Sequence, residues 1–206
     1  MRRTKEEAEK TRSAILSAAE LLFLEHGVAH TSLEQIARAA GVTRGAVYWH
    51  FQNKAHLFHE MLNQVRLPPE EMTERLSGCG NQDPLRALRD LCVEGVVSLA
   101  RDPQRQRVMN ILLHRCEFTA ELREAEERHR DFVNQFIQLG EQLFARPGCL
   151  ERLRAGLTPL QASRAVHALV IGLFIDWTRD PGLFDPLRDA EPMVDALFAG
   201  LVRDWE

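Results

Sequence analysis

Thr31-Ser-Leu-Glu-Gln-Ile-Ala-Arg-Ala-Ala-Gly41-Val-Thr-Arg-Gly-Ala-Val-Tyr-Trp-His50 reads as two short helices joined by a tight glycine turn, the pattern of a helix-turn-helix. Thr31 and Glu34 have the spacing of a capping box, so a first helix is predicted to start there. Leu33, Ile36, Ala37 and Ala40 follow as an apolar stripe at helical spacing, and Gly41 supplies the positive φ that ends such a helix at low cost. Val42 anchors the turn. Thr43 is placed to cap a second helix, over about 43–50, close enough to the first for the two to pack at a steep angle.

On that second helix Ala46 and Val47 face the first, which leaves Thr43, Arg44, Gly45, Tyr48 and Trp49 on the N-terminal and outer side. In a helix-turn-helix this end enters the major groove of DNA and meets base edges. Arg44 carries the fork that fits a guanine edge, and Gly45 removes a side chain where backbone must come close. Thr43 and Tyr48 carry hydroxyls suited to phosphate oxygens.

Just beyond, Asn53 has the character of an N-cap for a helix running to about Arg66, yet Lys54 takes its first position, where a cation opposes the helix dipole. The conflict disappears if an anion sits at that helix end, and beside Tyr48, His50 and Phe51 the expected anion is a phosphate.

The runs Thr-Ser-Leu-Glu-Gln-Ile-Ala at 31–37, Ala-Gly-Val-Thr-Arg-Gly-Ala-Val-Tyr-Trp-His-Phe at 40–51 and Asn-Lys at 53–54 together resemble the TetR/AcrR family of transcriptional repressors, nearest in motif to its multidrug-efflux branch. The resemblance is strong over residues 1–66. Farther on it rests on His114-Arg-Cys-Glu-Phe118 and on Gly172 to Trp177 followed by Phe184-Asp185. It implies phosphate contacts from Thr31 or Ser32, Thr43, Tyr48, His50 and Lys54, with base contacts from Arg44 and Gly45. It also implies a homodimer on a palindromic double-stranded operator, released by a small hydrophobic or amphipathic effector bound in the second domain.

Composition agrees with such a division. Residues 1–66 hold nine Lys+Arg against seven Asp+Glu, whereas the remainder holds 17 against 23, so a net charge of -4 conceals a basic end and an acidic one. With 45% hydrophobic residues the chain can bury a real core. Its longest apolar stretch, Ala165 to Ile175, is interrupted by His167 and Gly172, so no membrane span is expected. The charged N-terminus lacks an apolar stretch behind it, which excludes a signal peptide and predicts a cytoplasmic protein. Cysteines 79, 92, 116 and 149 are too far apart for a zinc pattern; they read as reduced and structural, with Cys79 in a loop the one candidate for redox sensing. No cofactor or metal site is expected.

The whole chain reads as all-α. A first helix, Glu6 to His26, turns Ile15, Ala19, Leu22 and Phe23 inward and ends at Gly27, completing a three-helix DNA-binding domain over 1–66; Arg2, Arg3, Lys5, Lys10 and Arg12 could touch phosphates or form a solvated arm. Pro68-Pro69 marks the boundary to an effector-binding and dimerisation domain over 67–206. A polar helix to about Leu76 and a Gly-rich loop follow, and from Pro84 on everything reads as helix. Leu85, Leu88, Cys92, Val96 and Leu99 form one stripe, Val108, Leu112 and Cys116 another, and Phe132, Val133, Phe136, Gly140 and Leu143 a third.

Near the end Val166, Leu169, Val170, Leu173, Phe174 and Trp177 make one helix apolar on most of its circumference, which demands burial on two sides. With Leu197 and Leu201 of the final helix they are the expected dimer interface, since a helix-turn-helix reads two half-sites as a two-fold dimer. The alternative is a helix central to its own domain. Candidate linings of an apolar effector pocket are Cys92, Val96, Met109, Asn110, Leu113, His114, Phe132, Gln135 and Phe136. Asn110 and His114 share a helix face and could orient a ligand's polar groups, while the Met109 thioether adapts to varied shapes.

Two other functions compete. A small helical enzyme would need a catalytic constellation, and the chain has no His-Glu-x-x-His, no Gly-x-Ser-x-Gly and no glycine-rich phosphate loop, so no catalytic residue is assigned. A DNA-binding activator or global regulator answering to a partner protein is the second.

Overall fold

The computed structural model describes residues 5–65, 69–77 and 83–205. Among these residues eleven helices and one 3-10 turn follow one another without a strand. They are α1 (Lys5–His26), α2 (Leu33–Ala39), α3 (Arg44–His50), α4 (Lys54–Asn63), α5 (Pro69–Ser77), α6 (Pro84–Arg101), α7 (Pro103–His114), the 3-10 turn (Ala120–Leu122), α8 (Arg123–Phe144), α9 (Pro147–Leu150), α10 (Pro159–Arg179) and α11 (Pro186–Leu201). Arg2, Arg3, Pro68 and Cys79 lie outside the described residues.

Contacts divide the chain into two compact units, residues up to 66 together with 107–130, and 67–106 together with 131–206. The first unit therefore takes in the end of α7, the 3-10 turn and the start of α8 in addition to the three-helix head.

In the first unit α1 carries Ile15, Leu16, Ala19 and Phe23 inward at helical spacing and stops at Gly27, whose φ of +84° is open to a residue without Cβ. These side chains share one core with Ile36 and Ala37 of α2, Val47 of α3, Phe51, and Leu57, Phe58, Met61 and Leu62 of α4, and Val108, Ile111, Leu122 and Ala125 join the same core. Phe23 and Phe58 meet edge to face, centroids 6.1 Å apart. Helix α4 ends at Asn63, three residues short of the expected Arg66.

In the second unit the predicted stripe of α6 is buried throughout: Leu85, Leu88, Cys92, Val96 and Leu99. Leu85, Leu88 and Cys92 share a core with Leu143, Phe144, Ala162, Val166, Val194, Phe198 and Leu201. Helices α8 and α10 approach closely at Gly140, where an added Cβ would collide with Ser163 Oγ; that hydroxyl donates to the Ile137 carbonyl at 2.7 Å. Arg89 of α6 donates to Asp195 at 2.7 Å and to Glu191 at 2.7 Å, joining α6 to α11 through charge-assisted bonds.

Helix α10 uses part of its wide apolar stripe inside the chain. Val166, Leu173 and Trp177, and Leu201 on α11, are buried within the single chain. Leu169, Val170, Phe174 and Leu197 are half-buried. A stripe wide enough to need two covers has one side fully used inside its own unit.

Candidate nucleic-acid interface

Helix α2 is capped by Ser32, whose Oγ accepts the Gln35 amide at 3.2 Å while Gln35 Oε1 accepts the Ser32 amide at 2.7 Å. The box expected at Thr31 and Glu34 is thus displaced by one residue. Thr31 is 1% exposed and donates its hydroxyl to the Gly27 carbonyl at 2.8 Å, so it fastens the α1–α2 turn from inside and leaves the set of DNA-contacting candidates. Gly41, at φ +67°, ends the α2 segment as expected.

Thr43 caps α3, its Oγ1 accepting the Ala46 amide at 3.2 Å. Val47 is wholly buried, which fixes the rotation of the helix and turns Arg44, Gly45, Tyr48 and Trp49 outward, Trp49 to 73% exposure. Arg44 Nη2 donates to Tyr48 Oη at 3.3 Å, with its guanidinium 5.4 Å from the Tyr48 ring centre. The bond to Tyr48 raises the already high Arg44 pKa, so the exposed fork stays charged. The His50 ring, half-buried, stands perpendicular to Trp49 at 4.5 Å. Ser32, Thr43, Arg44, Gly45, Tyr48, Trp49 and His50 all belong to the α2–α3 region of the head.

Asn53 caps α4 through the His56 amide at 2.7 Å. Lys54 is buried, 4% exposed, and its ammonium donates to the carbonyls of Thr31 at 3.1 Å and Ala29 at 3.4 Å and pairs with Glu121 of the 3-10 turn at 2.8 Å. The unfavourable dipole position is therefore compensated within the protein. Sequence reading missed Glu121; the only signal near it was the His114–Phe118 motif.

Two further ties join residues 107–130 to the head. The Val28 amide donates to the Arg115 carbonyl at 3.0 Å, and buried Glu20 on α1 pairs with Arg107 on α7. Replacing Arg107 by Ala leaves the Glu20 carboxylate buried without its cation. The Arg107 side chain is itself 39% exposed, which moderates the loss. The expected cost is about 2–3 kcal/mol in urea unfolding followed by circular dichroism; a change below about 0.5 kcal/mol, the size of a neutral surface substitution, would show the pair to be unimportant.

The pocket candidates fall on both units. Met109, Asn110, Leu113 and His114 lie on α7 in the first, Met109 packed against its core and His114 exposed. Cys92, Val96, Phe132, Gln135 and Phe136 lie in the second. There Cys92 is a core residue with half-buried Phe136 packed against the same core, Val96 is buried, Phe132 half-buried and Gln135 exposed. His167 of α10, not singled out from sequence, has its ring 6.0 Å from that of Phe136, and burial lowers its pKa. Burial pushes the Cys92 and Cys116 thiols up to about 12, which keeps them protonated and unreactive. Among the described residues no His, Cys, Asp and Glu side chains gather in threes as a metal site, and no helix is long and apolar enough to cross a membrane.

A capped helix-turn-helix with its outer face turned to solvent, in a chain that is otherwise helical, is the architecture of a DNA-binding regulator. The model of the bacterial regulatory proteins of the tetR family matches residues 15–61, and that of the MAATS-type transcriptional repressor C-terminal region matches 83–203; the chain belongs to the TetR family. It is 69% identical to NalD, the secondary repressor of the MexAB-OprM multidrug efflux pump in Pseudomonas aeruginosa, over 96% of this chain and 100% of that one, with a TM-score of 0.94. It is 37% identical to the transcriptional regulator TtgR of Pseudomonas putida, over 95% of this chain and 93% of that protein. The structure of SmeT with triclosan superposes with a TM-score of 0.82 at 36% identity, covering 94% and 92%; SmeT is the repressor of the Stenotrophomonas maltophilia pump SmeDEF.

Proposed function

We propose that the protein binds a palindromic operator as a homodimer, represses a multidrug efflux pump operon, and is released by a small hydrophobic effector. The observation that carries the reading is the face of α3, where Arg44, Tyr48 and Trp49 are exposed around a buried Val47 that holds the helix in place. The proposed DNA contacts are Ser32, Thr43, Tyr48, Trp49, His50 and Lys54 on the backbone and Arg44 with Gly45 at base edges. Likeness to NalD, a pump repressor, supports the choice of target.

The effector contacts we assign to the second unit are Cys92, Val96, Phe132, Gln135 and Phe136, with His167 beside Phe136, a largely apolar set with few polar groups. Half-buried Leu169, Val170, Phe174 and Leu197 are the proposed dimer contacts. Release requires that effector bind the DNA-free conformer more tightly than the DNA-bound one, and the coupling is reciprocal.

The test uses triclosan, the ligand in the SmeT structure, titrated into a preformed complex of the protein with DNA from upstream of its own gene. Fluorescence anisotropy is expected to fall to the free-DNA value, and triclosan affinity measured separately is expected to drop when operator is present. Equal triclosan affinity with and without operator contradicts effector release. A complex that dissociates only on adding another protein would favour control by a partner.

A further inference from the structure

Lys54 is one of the residues lining an open cleft of about 420 Å³ beside α3, with Ser32, Glu34, Arg44, Tyr48 and Glu121 among the others. Its ammonium has three protons and three acceptors: two carbonyls that hold it in place and one carboxylate. The carbonyls are fixed features of the α1–α2 turn. The carboxylate is different, because the Glu121 side chain is 59% exposed and reaches Lys54 from the 3-10 turn.

A carboxylate at this place is unfavourable for a protein that must approach a polyanion. With its side chain largely in solvent, the carboxylate can turn out into water at little desolvation cost. Yet a buried ammonium needs an anion close by. From these facts, and resting on the proposed DNA-binding function, we infer that Glu121 is an intramolecular competitor for the DNA backbone: it neutralises Lys54 while the protein is free, and a phosphate entering the cleft takes its place on the same ammonium.

The exchange requires no movement of Lys54. The two carbonyl bonds remain, one anionic acceptor replaces another, and the carboxylate turns out into water. Glu121 belongs to residues 107–130, which are fastened to the head through Arg107–Glu20 and Arg115–Val28. A shift that pressed the 3-10 turn more firmly onto Lys54 would therefore weaken DNA binding without altering the reading face, and one that withdrew it would strengthen binding.

Glu121→Gln removes the competing charge and keeps the side-chain shape. Binding of the full-length variant to upstream DNA and to random DNA is measured by anisotropy beside Glu117→Gln, an exposed carboxylate four residues earlier, with thermal unfolding as a check on folding. Glu121→Gln is expected to tighten both complexes roughly three- to fivefold, the scale of a partly exposed ion pair, while Glu117→Gln changes them by less than about twofold. Unchanged or weaker binding by Glu121→Gln, or an equal gain in Glu117→Gln, overturns the competition. A wild type that does not distinguish upstream from random DNA would instead count against the operator assignment, and the comparison on random DNA would still decide the role of Glu121.

Discussion

Phe58→Ala is expected to lower the stability of the protein by about 3–5 kcal/mol, a large part of the margin of about 5–15 kcal/mol of an ordinary domain. The ring has no exposed surface, stands edge to face with Phe23 of α1, and lies on α4 among Leu57, Met61 and Leu62, all without exposure. Removing it strips transfer energy and leaves a cavity walled by rigid helices that cannot collapse into it. Urea unfolding followed by circular dichroism gives the loss directly. Leu21→Ala is the matched comparison, because Leu21 is 61% exposed on the same α1 that carries Phe23. It is expected to change stability by no more than about 0.5 kcal/mol. Similar values for the two would mean that the α1–α4 packing described above is wrong.

The comparison also separates what sequence could reveal from what it could not. Spacing alone placed Ile15, Ala19 and Phe23 on the inner face of α1 and the stripe from Leu85 to Leu99 on that of α6, because helical periodicity is written within a few residues. Thr43 as the cap of α3 and Gly41 at positive φ were equally local. The α2 cap lies one residue beyond the predicted one. Thr31-Ser32 followed by Glu34-Gln35 satisfies two registers, and the burial of Thr31 against Gly27, a tertiary fact, decides between them. The partner of Lys54 was invisible for the same reason: Glu121 is distant in sequence, and no periodicity connects a helix start with a 3-10 turn. Glu20 and Arg107, 87 positions apart, pair on helices whose own patterns do not mention each other. On α10 the breadth of the apolar stripe was legible, but which side the protomer keeps for itself was not.

The second large effect concerns recognition. Arg44 is exposed, stays charged beside Tyr48, and lies in the first turn of α3 with glycine following it. A bidentate contact of such a fork to guanine is worth about 1–3 kcal/mol of discrimination, and a two-fold dimer uses it once in each half-site. Arg44→Lys is the sharper variant because it preserves the charge and loses only the planar pair of donors. Affinity for random DNA, which depends on charge, should then be retained, while preference for the operator falls by about tenfold or more.

The decisive measurement is fluorescence anisotropy of wild type, Arg44→Ala and Arg44→Lys on DNA from upstream of the protein's own gene and on random DNA, at several salt concentrations. The account predicts that both variants lose discrimination by about tenfold or more while Arg44→Lys keeps the wild-type affinity and salt slope on random DNA. Undiminished discrimination in both variants would contradict it, because sequence would then be read by something other than the exposed face of α3.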